Sequence, residues 1–499
     1  MERLSYQTLK KRGYDGYVQR AAPERVLQFG EGNFLRAFVD YWFDILNEKG
    51  GFNGKIVIVT PIAPPKSFDV VKHINDQNGL YTLYLRGMQD GEKVEQKRII
   101  SSVSRCLNPY EDFQAFLACA ENPELQFIVS NTTEAGIAYD PETTYDQEPP
   151  HSFPGKMTRF LHERWKAGLP GLTILACELI DHNGEELRKI VLRHVQEWRL
   201  EPEFDTWVRT QNTFCSSLVD RIVPGYPRKD AERLTAENNY EDVLMDTGEV
   251  FGFWVIEGPE RIAEALHIKE AGLEDKVIVV PDHTPYKQRK VRILNGAHTS
   301  FVPGAYLAGQ DIVRNCMADT VIQSFMNTCI YKEIIPTLTL PEEDLRSFAA
   351  SVVDRFGNPF IDHQLLDICL NSTSKWKARV LPSVKAYVER YGKLPPCLTA
   401  SFACYLAFYK GDVLTDEGLR GTRGNDHYTI KDDRSVLEFF FAHRDDSPAG
   451  YADAVCGNKD FWGEDLREIP GFTAAVVEYL HKINEHGTRW VMEQAVRSE

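Results

Sequence analysis

The sequence predicts an α/β protein in which an N-terminal doubly wound domain is followed by a mainly α-helical C-terminal domain. In the first half, short apolar runs alternate with longer amphipathic stretches, which is the pattern of a parallel sheet covered by helices. Beyond residue 283, one helical pattern follows another. A chain of 499 residues is also too long for one compact core. We therefore predict two domains, residues 1–283 and residues 284–499.

The predicted strands of the first domain are short apolar runs at residues 25–29, 55–60, 126–130, 172–177 and 276–280. Between them, residues 34–47 and 185–198 have amphipathic patterns that predict helices.

The second domain is predicted to contain helices at residues 285–306, 320–328, 341–355, 382–391, 396–409 and, as the last one, 474–484. Two stretches are richer in Gly, Asp and Ser and are predicted to be loops: residues 415–435 and 444–465.

The composition excludes several classes of function. The formal net charge is −16 and no long basic run occurs, which argues against nucleic acid as the main partner. No apolar stretch reaches the roughly 18 residues that a membrane span needs, and the N-terminus lacks the apolar segment of a secretion signal. We therefore expect a cytoplasmic protein that acts on a small molecule, either as a monomer or as a small homo-oligomer.

The cysteines and histidines give no indication of a metal site. None of the ten cysteines forms a C-x-x-C pair, and the thirteen histidines show no zinc-binding spacing. We expect reduced, mostly buried thiols and predict no bound metal.

A glycine turn follows the first predicted strand. The segment RVLQFGEGNFLRAF turns at Gly30 and Gly32 and continues as a helix with an apolar face. In a dinucleotide site the first glycine allows a tight turn, the second lets the backbone approach the pyrophosphate, and helix amides face its charge. Leu35 replaces the third glycine of G-x-G-x-x-G, so the pattern alone also fits an ordinary βα turn.

The second predicted strand, KIVIVTP, ends without the Asp or Glu that usually holds the adenosine ribose. Lys66 lies just beyond, where it would tolerate a 2′-phosphate. These residues therefore leave the choice between NAD and NADP open.

The first helix of the second domain carries three polar residues. On an ideal helix Lys290, Asn295 and His298 fall within an arc of roughly 140°. Gly296 interrupts this helix, and we expect the missing side chain to let cofactor or substrate come close.

These three residue types suit carbonyl reduction by a nicotinamide. Hydride arrives at carbon while negative charge grows on oxygen, where an amide donor and a cation stabilise it. A desolvated lysine can supply the proton, and His298 can orient the lysine or a substrate hydroxyl. The alternative is a solvated lysine and asparagine beside a buried histidine, because three polar residues on one helix are common.

Together the two motifs resemble the long-chain mannitol dehydrogenase family, polyol-specific dehydrogenases that need no metal. The family motif K-x-x-x-x-N-x-x-H is matched by Lys290, Asn295 and His298, and the turn G-x-G-x-F-x-R-A by residues 30–37. Further matches are GLYTL at 79–83, SNTTEAGI at 130–137, PGKMTRFLHERW at 154–165 and LVDRIVP at 218–224. The resemblance spans nearly the whole chain and implies a Rossmann-like first domain.

The resemblance also implies roles for individual residues. Lys290 is the expected general acid in reduction and base in oxidation, Asn295 lies in the oxyanion site, and His298 positions the substrate. The residues expected along the cofactor pyrophosphate are Phe29, Gly30, Gly32, Asn33, Phe34 and Arg36. Those expected to border its nicotinamide are Asn131, Thr132 and Glu134.

The substrate is expected to meet Asp220 and Arg221 of the VDR sequence, with Asp220 near the lysine or a substrate hydroxyl. Mannitol-type members read C-D-N where this chain reads C-E-L at 177–179. A second oxyanion donor must then come from elsewhere, and Asn183 is our candidate.

A cationic cluster, Lys375, Lys377 and Arg379, has the chemistry to neutralise a substrate carboxylate. From this cluster we select Lys375 as the substrate-binding residue.

Within the family, FGEGNFLRAFVD at 29–40, ACELIDHNG at 176–184, LNGAHT at 294–299 and SKWKARVLPS at 374–383 are most similar to members that act on hexuronates. This implies NAD as cofactor and the reversible reduction of D-tagaturonate to D-altronate, a step in galacturonate breakdown. Fructuronate or a neutral polyol remains an alternative substrate. A non-catalytic sugar-acid sensor is an alternative of another class, although such a protein would be expected to lose the lysine or the asparagine.

Overall fold

The structure is a computed structural model that describes residues 1–63, 68–133 and 135–498, without the side chain of Phe68. The chain forms two compact units. The first comprises Met1–Arg86 and Val94–His283, and the second comprises Gly87–Lys93 and Thr284–Glu499.

The strands that lie wholly or partly in the first unit are β1 Glu24–Phe29, β2 Lys55–Val59, β3 Tyr81–Gln89, β4 Glu92–Ile100, β5 Val103–Leu107, β6 Phe127–Ser130, β7 Thr173–Ala176, β8 Thr213–Cys215, β9 Ser217–Asp220, β10 Asp246–Glu249, β11 Phe253–Glu257 and β12 Val277–Val280. Its helices are α1 Tyr6–Lys11, α2 Asn33–Ala37, α3 Val39–Ile45, α4 Phe68–Asp76, α5 Phe113–Ala118, α6 Phe153–Lys166, α7 Asn183–Glu197, α8 Pro202–Gln211, α9 Ala231–Asn238 and α10 Arg261–Ala265, with a π-helical turn at Leu46–Gly50 and a 3₁₀ turn at Cys119–Glu121.

A six-stranded parallel sheet organises the first unit, with the order β5-β2-β1-β6-β7-β8. This is the doubly wound order, in which the chain runs outward from β1 in both directions. Phe29 pairs with Val59 on one side and with Ser130 on the other, so β1, β2 and β6 end at the same edge. In sheets of this type ligands bind beyond that edge, where the strand order reverses.

Alternate residues of each strand pack on opposite faces of this sheet. Val26, Ile56 and Ile58 belong to one hydrophobic cluster, whereas Leu27 and Val57 belong to the other. Because both faces are covered, these strands consist mainly of apolar residues, and for that reason they were recognisable in the sequence.

The structure corrects the assignment of the last predicted strand. The run near residue 277 forms β12, but β12 pairs with β11 and, beyond it, β9 in a separate sheet. A further sheet, β10-β3-β4, was not predicted at all. β4 has the sequence EKVEQKRII, and because exposed charged residues make up much of it, it contains no apolar run long enough to predict a strand.

The second unit is built mainly from helices: α11 Thr284–Arg289, α12 Gly296–Leu307, α13 Val313–Ala318, α14 Thr320–Thr328, α15 Glu342–Phe356, α16 Leu365–Ile368, α17 Ser372–Arg379, α18 Leu381–Tyr391, α19 Pro396–Phe408, α20 Arg434–Ala442, α21 Pro448–Cys456, α22 Lys459–Trp462, α23 Phe472–His486 and α24 Thr488–Ser498. It also contains π-helical turns at Lys290–Asn295 and Cys329–Ile334, 3₁₀ turns at Ile335–Thr337 and Leu466–Glu468, and strands β13 Val413–Leu414, β14 Leu419–Arg423 and β15 Asp426–Ile430. Helices α12 and α19 are buried almost throughout and form its centre.

Three predictions for the second unit were wrong. The predicted loop 415–435 holds most of the antiparallel β13–β15 sheet, whose turn at Gly424 (φ +62°) has glycine and asparagine at its tip. The predicted loop 444–465 contains α21 and α22, and α24 follows the helix predicted to be the last. Short elements rich in turn residues have too little periodicity to be distinguished from loops.

All ten cysteines are buried and are present as thiols, as predicted. In the part of the chain that the structure describes, we find no helix with the length and apolarity needed to cross a membrane.

Candidate active site

The turn after β1 has the geometry of a dinucleotide-binding turn. Gly30 adopts φ +122°, and a Cβ there would lie 2.9 Å from the carbonyl oxygen of Asn131 and 3.0 Å from Leu35 Cδ1. Leu35 therefore fits in place of a third glycine because Gly30 has no side chain. Gly32 is exposed, with no atom near its Cβ position, so the backbone at the start of α2 is open to a pyrophosphate. These residues fit a bound dinucleotide.

Two side chains predicted to bind the cofactor point elsewhere. Phe29 is fully buried and packs against the rings of Phe116 and Phe153. Arg36 is also buried and donates to the Leu244 carbonyl oxygen at 2.7 Å and to Asn33 Oδ1 at 2.5 Å. Arg36 thus orients Asn33 from inside the first unit and does not reach the open side of the turn.

Of the other predicted cofactor residues, Asn33 has an exposed position and Phe34 is half-buried, with its ring stacked on Phe38 at 5.1 Å. Glu134 and Lys66 lie outside the described residues.

Glu178, which follows β7, forms hydrogen bonds with the end of β6 and the residues after it. The buried carboxylate of Glu178 accepts hydrogen bonds from the Ser130 hydroxyl at 3.1 Å and from the Thr132 amide and hydroxyl, both at 3.0 Å. Burial raises the pKa of Glu178, an effect that these donors oppose. Asn131 donates to the Cys177 carbonyl oxygen at 3.2 Å. The acidic residue of the C-E-L sequence therefore fixes the loop that borders the predicted nicotinamide site.

Asn183 has a structural role, which corrects its prediction as the second oxyanion donor. Its side chain is buried; Nδ2 donates to the carbonyl oxygens of Glu178 at 2.9 Å and Ser217 at 3.1 Å. Its Oδ1 accepts from the amides of Gly184 and Ser217, both at 2.9 Å. Both amide protons are already used, so none remains for a substrate oxygen.

Arg221 likewise serves the packing of the first unit. Its guanidinium donates to the carbonyl oxygens of Ala37 at 2.7 Å and Phe251 at 2.9 Å and lies 4.6 Å from the Tyr41 ring. These contacts hold the guanidinium within the first unit, and the substrate-binding role of Arg221 stays a prediction. Asp220 is buried at the end of β9.

The helix that carries Lys290 is not a regular α-helix. It changes at Lys290–Asn295 to a π-helical turn, in which hydrogen bonds join residues five apart. The wider turn brings residues 290 and 295 toward one side, whereas a regular α-helix would separate them by roughly 140°. Turns of this kind are frequent at functional sites.

Lys290 and Asn295 are both half-buried. The side-chain amide of Asn295 makes no hydrogen bond to any residue that the structure describes. Asn295 therefore has a donor to offer to a ligand, as the oxyanion role requires.

His298 is a neutral imidazole with an unused ring nitrogen. Its ring stacks on Phe356 with centroids 4.0 Å apart, and its buried Nε2 has no partner among the described residues. Burial, followed by the charges of His363 and three nearby cations, lowers the pKa of His298 well below its ordinary value. The three cations are Arg355, Arg379 and Lys375.

The cationic residues of α17 separate onto different sides. Lys375 and Arg379, four residues apart, both face His298, whereas Lys377 lies beside Gly463. Lys375 donates to the Ile368 carbonyl oxygen at 2.9 Å. The half-buried guanidinium of Arg379 has no hydrogen-bond acceptor among the described residues, and burial lowers its pKa. Arg379 therefore has the greater capacity to bind an anion, although the sequence favoured Lys375.

No site role was assigned from the sequence to Arg379, Arg355 or His363, all of which influence His298. The spacing of Lys375 and Arg379 is a signal that places both on one helix face. Arg355 and His363 lie on other segments, and no local pattern connects them with His298.

Gly296 does not provide an approach for a ligand, which corrects that expectation. It is buried, and a Cβ at this position would lie 3.1 Å from the Arg379 carbonyl oxygen. The glycine instead allows the start of α12 to pack closely against the end of α17. This contact connects the helix of His298 with the helix of Arg379.

Among the residues that the structure describes, two groups of side chains have the atom types and spacing of a metal site. They are Glu257, Asp282 and His283 in the first unit, and Cys329, Glu333 and Cys397 in the second. Glu257 accepts hydrogen bonds from the amide and ring of His283, and Glu333 accepts from the amides of Cys397 and Leu398. In each group the glutamate carboxylate is therefore already hydrogen-bonded within the protein.

A doubly wound unit with an open glycine turn, followed by a helical unit with a lysine, an amide and a neutral imidazole on one helix, defines a class of dehydrogenase-like proteins. Residues 24–270 match the family model described as Mannitol dehydrogenase Rossmann domain, and residues 282–484 match Mannitol dehydrogenase C-terminal domain. The chain belongs to the mannitol dehydrogenase family.

Curated relatives over nearly the full length carry the name altronate oxidoreductase. The protein of Pectobacterium carotovorum subsp. carotovorum (strain PC1) is 44% identical, covering 98% of this chain and 99% of the relative. That of Yersinia enterocolitica is 44% identical, covering 97% and 98%. That of Bacillus subtilis (strain 168) is 43% identical, covering 98% of each.

Solved structures share the fold. A substrate-free D-sorbitol dehydrogenase has a TM-score of 0.80 at 24% identity, covering 98% of this chain and 100% of that one. Pseudomonas fluorescens mannitol 2-dehydrogenase, solved with NAD and D-mannitol, has a TM-score of 0.68 at 23% identity, covering all of both chains.

Proposed function

We propose that this protein is an NAD-dependent oxidoreductase that reversibly reduces D-tagaturonate to D-altronate. The observation that carries the proposal is the pair Arg379 and Lys375 beside neutral His298, in the unit that also holds Lys290 and Asn295. An acidic sugar needs a cation for its carboxylate, and a neutral polyol does not. The name of the relatives, altronate oxidoreductase, supports the same class of substrate.

The proposed reaction adds a hydride and a proton to a ketone. A bound nicotinamide supplies the hydride to the carbonyl carbon and becomes oxidised. Lys290 donates a proton to the carbonyl oxygen, and Asn295 donates a hydrogen bond to the same oxygen as its negative charge grows. In the reverse direction Lys290 accepts the proton from the hydroxyl group. We further propose that residues 1–283 form the dinucleotide-binding domain and residues 284–499 the substrate domain.

The remaining residues bind the substrate away from the reacting carbon. Arg379 pairs with the carboxylate through its guanidinium, a geometry that can be bidentate. His298 stays neutral, so its Nε2 can exchange a hydrogen bond with a substrate hydroxyl without adding another charge to the site.

The test is oxidation of NADH and NADPH, followed at 340 nm, with tagaturonate, fructuronate and fructose offered separately. We expect tagaturonate with NADH to give the highest kcat/KM. Higher activity with fructuronate would support an acidic ketose as the substrate but would contradict the choice of tagaturonate. A preference for fructose would contradict the role of the cations, and inactivity with all three would contradict the proposed reaction.

A further inference from the structure

The carboxylate that dinucleotide-binding folds usually carry after the second strand is absent at the end of β2. The next residues are Thr60, Pro61, Ile62 and Ala63, none of which is acidic. In this fold that carboxylate binds the adenosine ribose and disfavours the 2′-phosphate of NADP. Residues 60–63 therefore offer no carboxylate to the ribose hydroxyls.

Glu31 brings a carboxylate to this position from the glycine turn itself. The Thr60 hydroxyl donates to Glu31 Oε1 at 3.2 Å, so the carboxyl group lies against the residue that follows β2. The turn is fixed there by the Gly30 amide, which donates to the Val59 carbonyl oxygen at 3.0 Å. The position of the carboxylate therefore depends on the same backbone that forms the pyrophosphate turn.

The Glu31 carboxylate also interacts with its own backbone amide, and its remaining acceptor positions are available to a ligand. No lysine or arginine forms an ion pair with it among the described residues, and no other described side chain donates to it. It is only half-buried, so a ligand can reach it. Two carboxylate oxygens match the pair of donors that a ribose 2′,3′-diol presents. A 2′-phosphate would place a second anion against the carboxylate.

We propose that Glu31 binds the adenosine ribose hydroxyls and selects NAD over NADP. This inference rests on the proposed function only in that a nicotinamide dinucleotide is the cofactor. It assigns to the middle residue of the G-E-G turn the role that the end of the second strand usually has.

The test is calorimetric titration of the full-length protein with NADH and NADPH, and with their adenosine fragments AMP and adenosine 2′,5′-bisphosphate. The wild-type protein should bind NADH and AMP more tightly than their 2′-phosphorylated counterparts. In Glu31→Gln, the affinity for NADH and AMP should fall about 10- to 100-fold, the range expected when hydrogen bonds to a charged group are lost. The variant should also discriminate less than the wild type between each ligand and its 2′-phosphorylated counterpart.

Two variants accompany the test. Thr60→Val removes the hydroxyl that holds Glu31 and should weaken AMP binding less than Glu31→Gln does. Glu232→Gln, at an exposed position of α9, should leave all four affinities unchanged. Unchanged AMP and NADH binding in Glu31→Gln, or tighter binding of NADPH by the wild type, would overturn the proposal for Glu31 but not the proposed reaction. Failure of the wild type to bind either dinucleotide would instead overturn the proposed function.

Discussion

At the residue scale, the proposed binding of an acidic substrate depends on the charge states around His298. Burial, followed by the charges of His363, Arg355, Arg379 and Lys375, lowers the pKa of His298, so its imidazole stays neutral. The positive charges therefore remain concentrated on groups that pair well with a carboxylate. Lys290 and Asn295 lie in the same unit, and we propose them as the sources of the proton and the hydrogen bond in the reaction.

Replacement of Lys290 tests the proton-transfer role. We expect Lys290→Ala to lower kcat by about 10²- to 10⁴-fold, the usual contribution of a general acid or base. Lys385→Ala, which removes an exposed lysine of α18 paired with Glu464, should keep wild-type turnover. Steady-state kinetics at saturating NADH measures both variants. Near-normal turnover of Lys290→Ala would exclude the assignment.

Replacement of Arg379 tests the carboxylate role. Arg379→Met should raise KM for the acidic ketose about 10- to 100-fold through loss of a charged hydrogen bond, with a smaller effect on kcat. Lys377→Met changes the same helix at the position beside Gly463 and should leave KM unchanged. Equal KM values for both variants would argue that the substrate carboxylate binds elsewhere.

At the element scale, the π-helical turn and the start of α12 position the residues of the candidate site. The turn aligns Lys290 with Asn295, and Gly296 immediately afterwards allows close packing against the end of α17. The close packing of the Arg379 backbone against α12 thus requires a glycine at position 296.

A larger residue at this junction should affect both stability and substrate binding. Gly296→Val places a side chain 3.1 Å from the Arg379 carbonyl oxygen and should destabilise the protein by about 1–3 kcal/mol, the usual cost of overpacking. KM for the acidic ketose should rise as well, because α17 must shift. Gly357→Val is a suitable control, since the Cβ there would be at least 3.5 Å from its neighbours. Thermal unfolding and kinetics of the two variants compare the effects, and equal behaviour would contradict the packing role.

At the scale of the whole molecule, buried carboxyl groups in the first unit make stability depend on pH. Burial raises the pKa of Asp40 to about 7, and the Tyr81 hydroxyl donates to its Oδ2 at 2.9 Å. Asp40 Oδ1 and Gln28 Oε1 are both buried acceptors without a donor among the described residues. A proton on Asp40 supplies such a donor, so the folded protein retains this proton over a pH range in which the unfolded chain releases it.

The sign of the effect follows from this difference in proton binding. Between about pH 4 and pH 7 the folded state holds more protons than the unfolded state at Asp40, so its contribution to stability falls as pH rises. Asp40→Asn keeps the shape of the side chain and supplies an N–H donor, but the amide does not titrate. We expect the variant to gain stability relative to wild type as pH rises through this window and to differ less below it. Unfolding temperatures of both proteins measured from pH 4 to pH 8 give the comparison, and a difference independent of pH would contradict the prediction.

The α/β class, the parallel strands and the glycine turn were predictable from the sequence because their causes are local. Strands β1, β2, β6 and β7 are buried on both faces over most of their length and are therefore mainly apolar. The turn needs a glycine where φ is positive, and Gly30 meets that need. The family motifs around Lys290, Asn295 and His298 are likewise contiguous in the chain.

The direction of each polar side chain was decided only by the tertiary structure. Arg36 bonds to Leu244, Arg221 to Ala37 and Asn183 to Ser217, partners far away in the sequence. The same residue types in the same motifs would suit a ligand equally well, because a guanidinium or amide satisfies its hydrogen bonds with whichever acceptors the fold brings near. The sequence by itself therefore determined which chemical groups this protein has, and the packing of distant segments decided which of them remain available to a ligand.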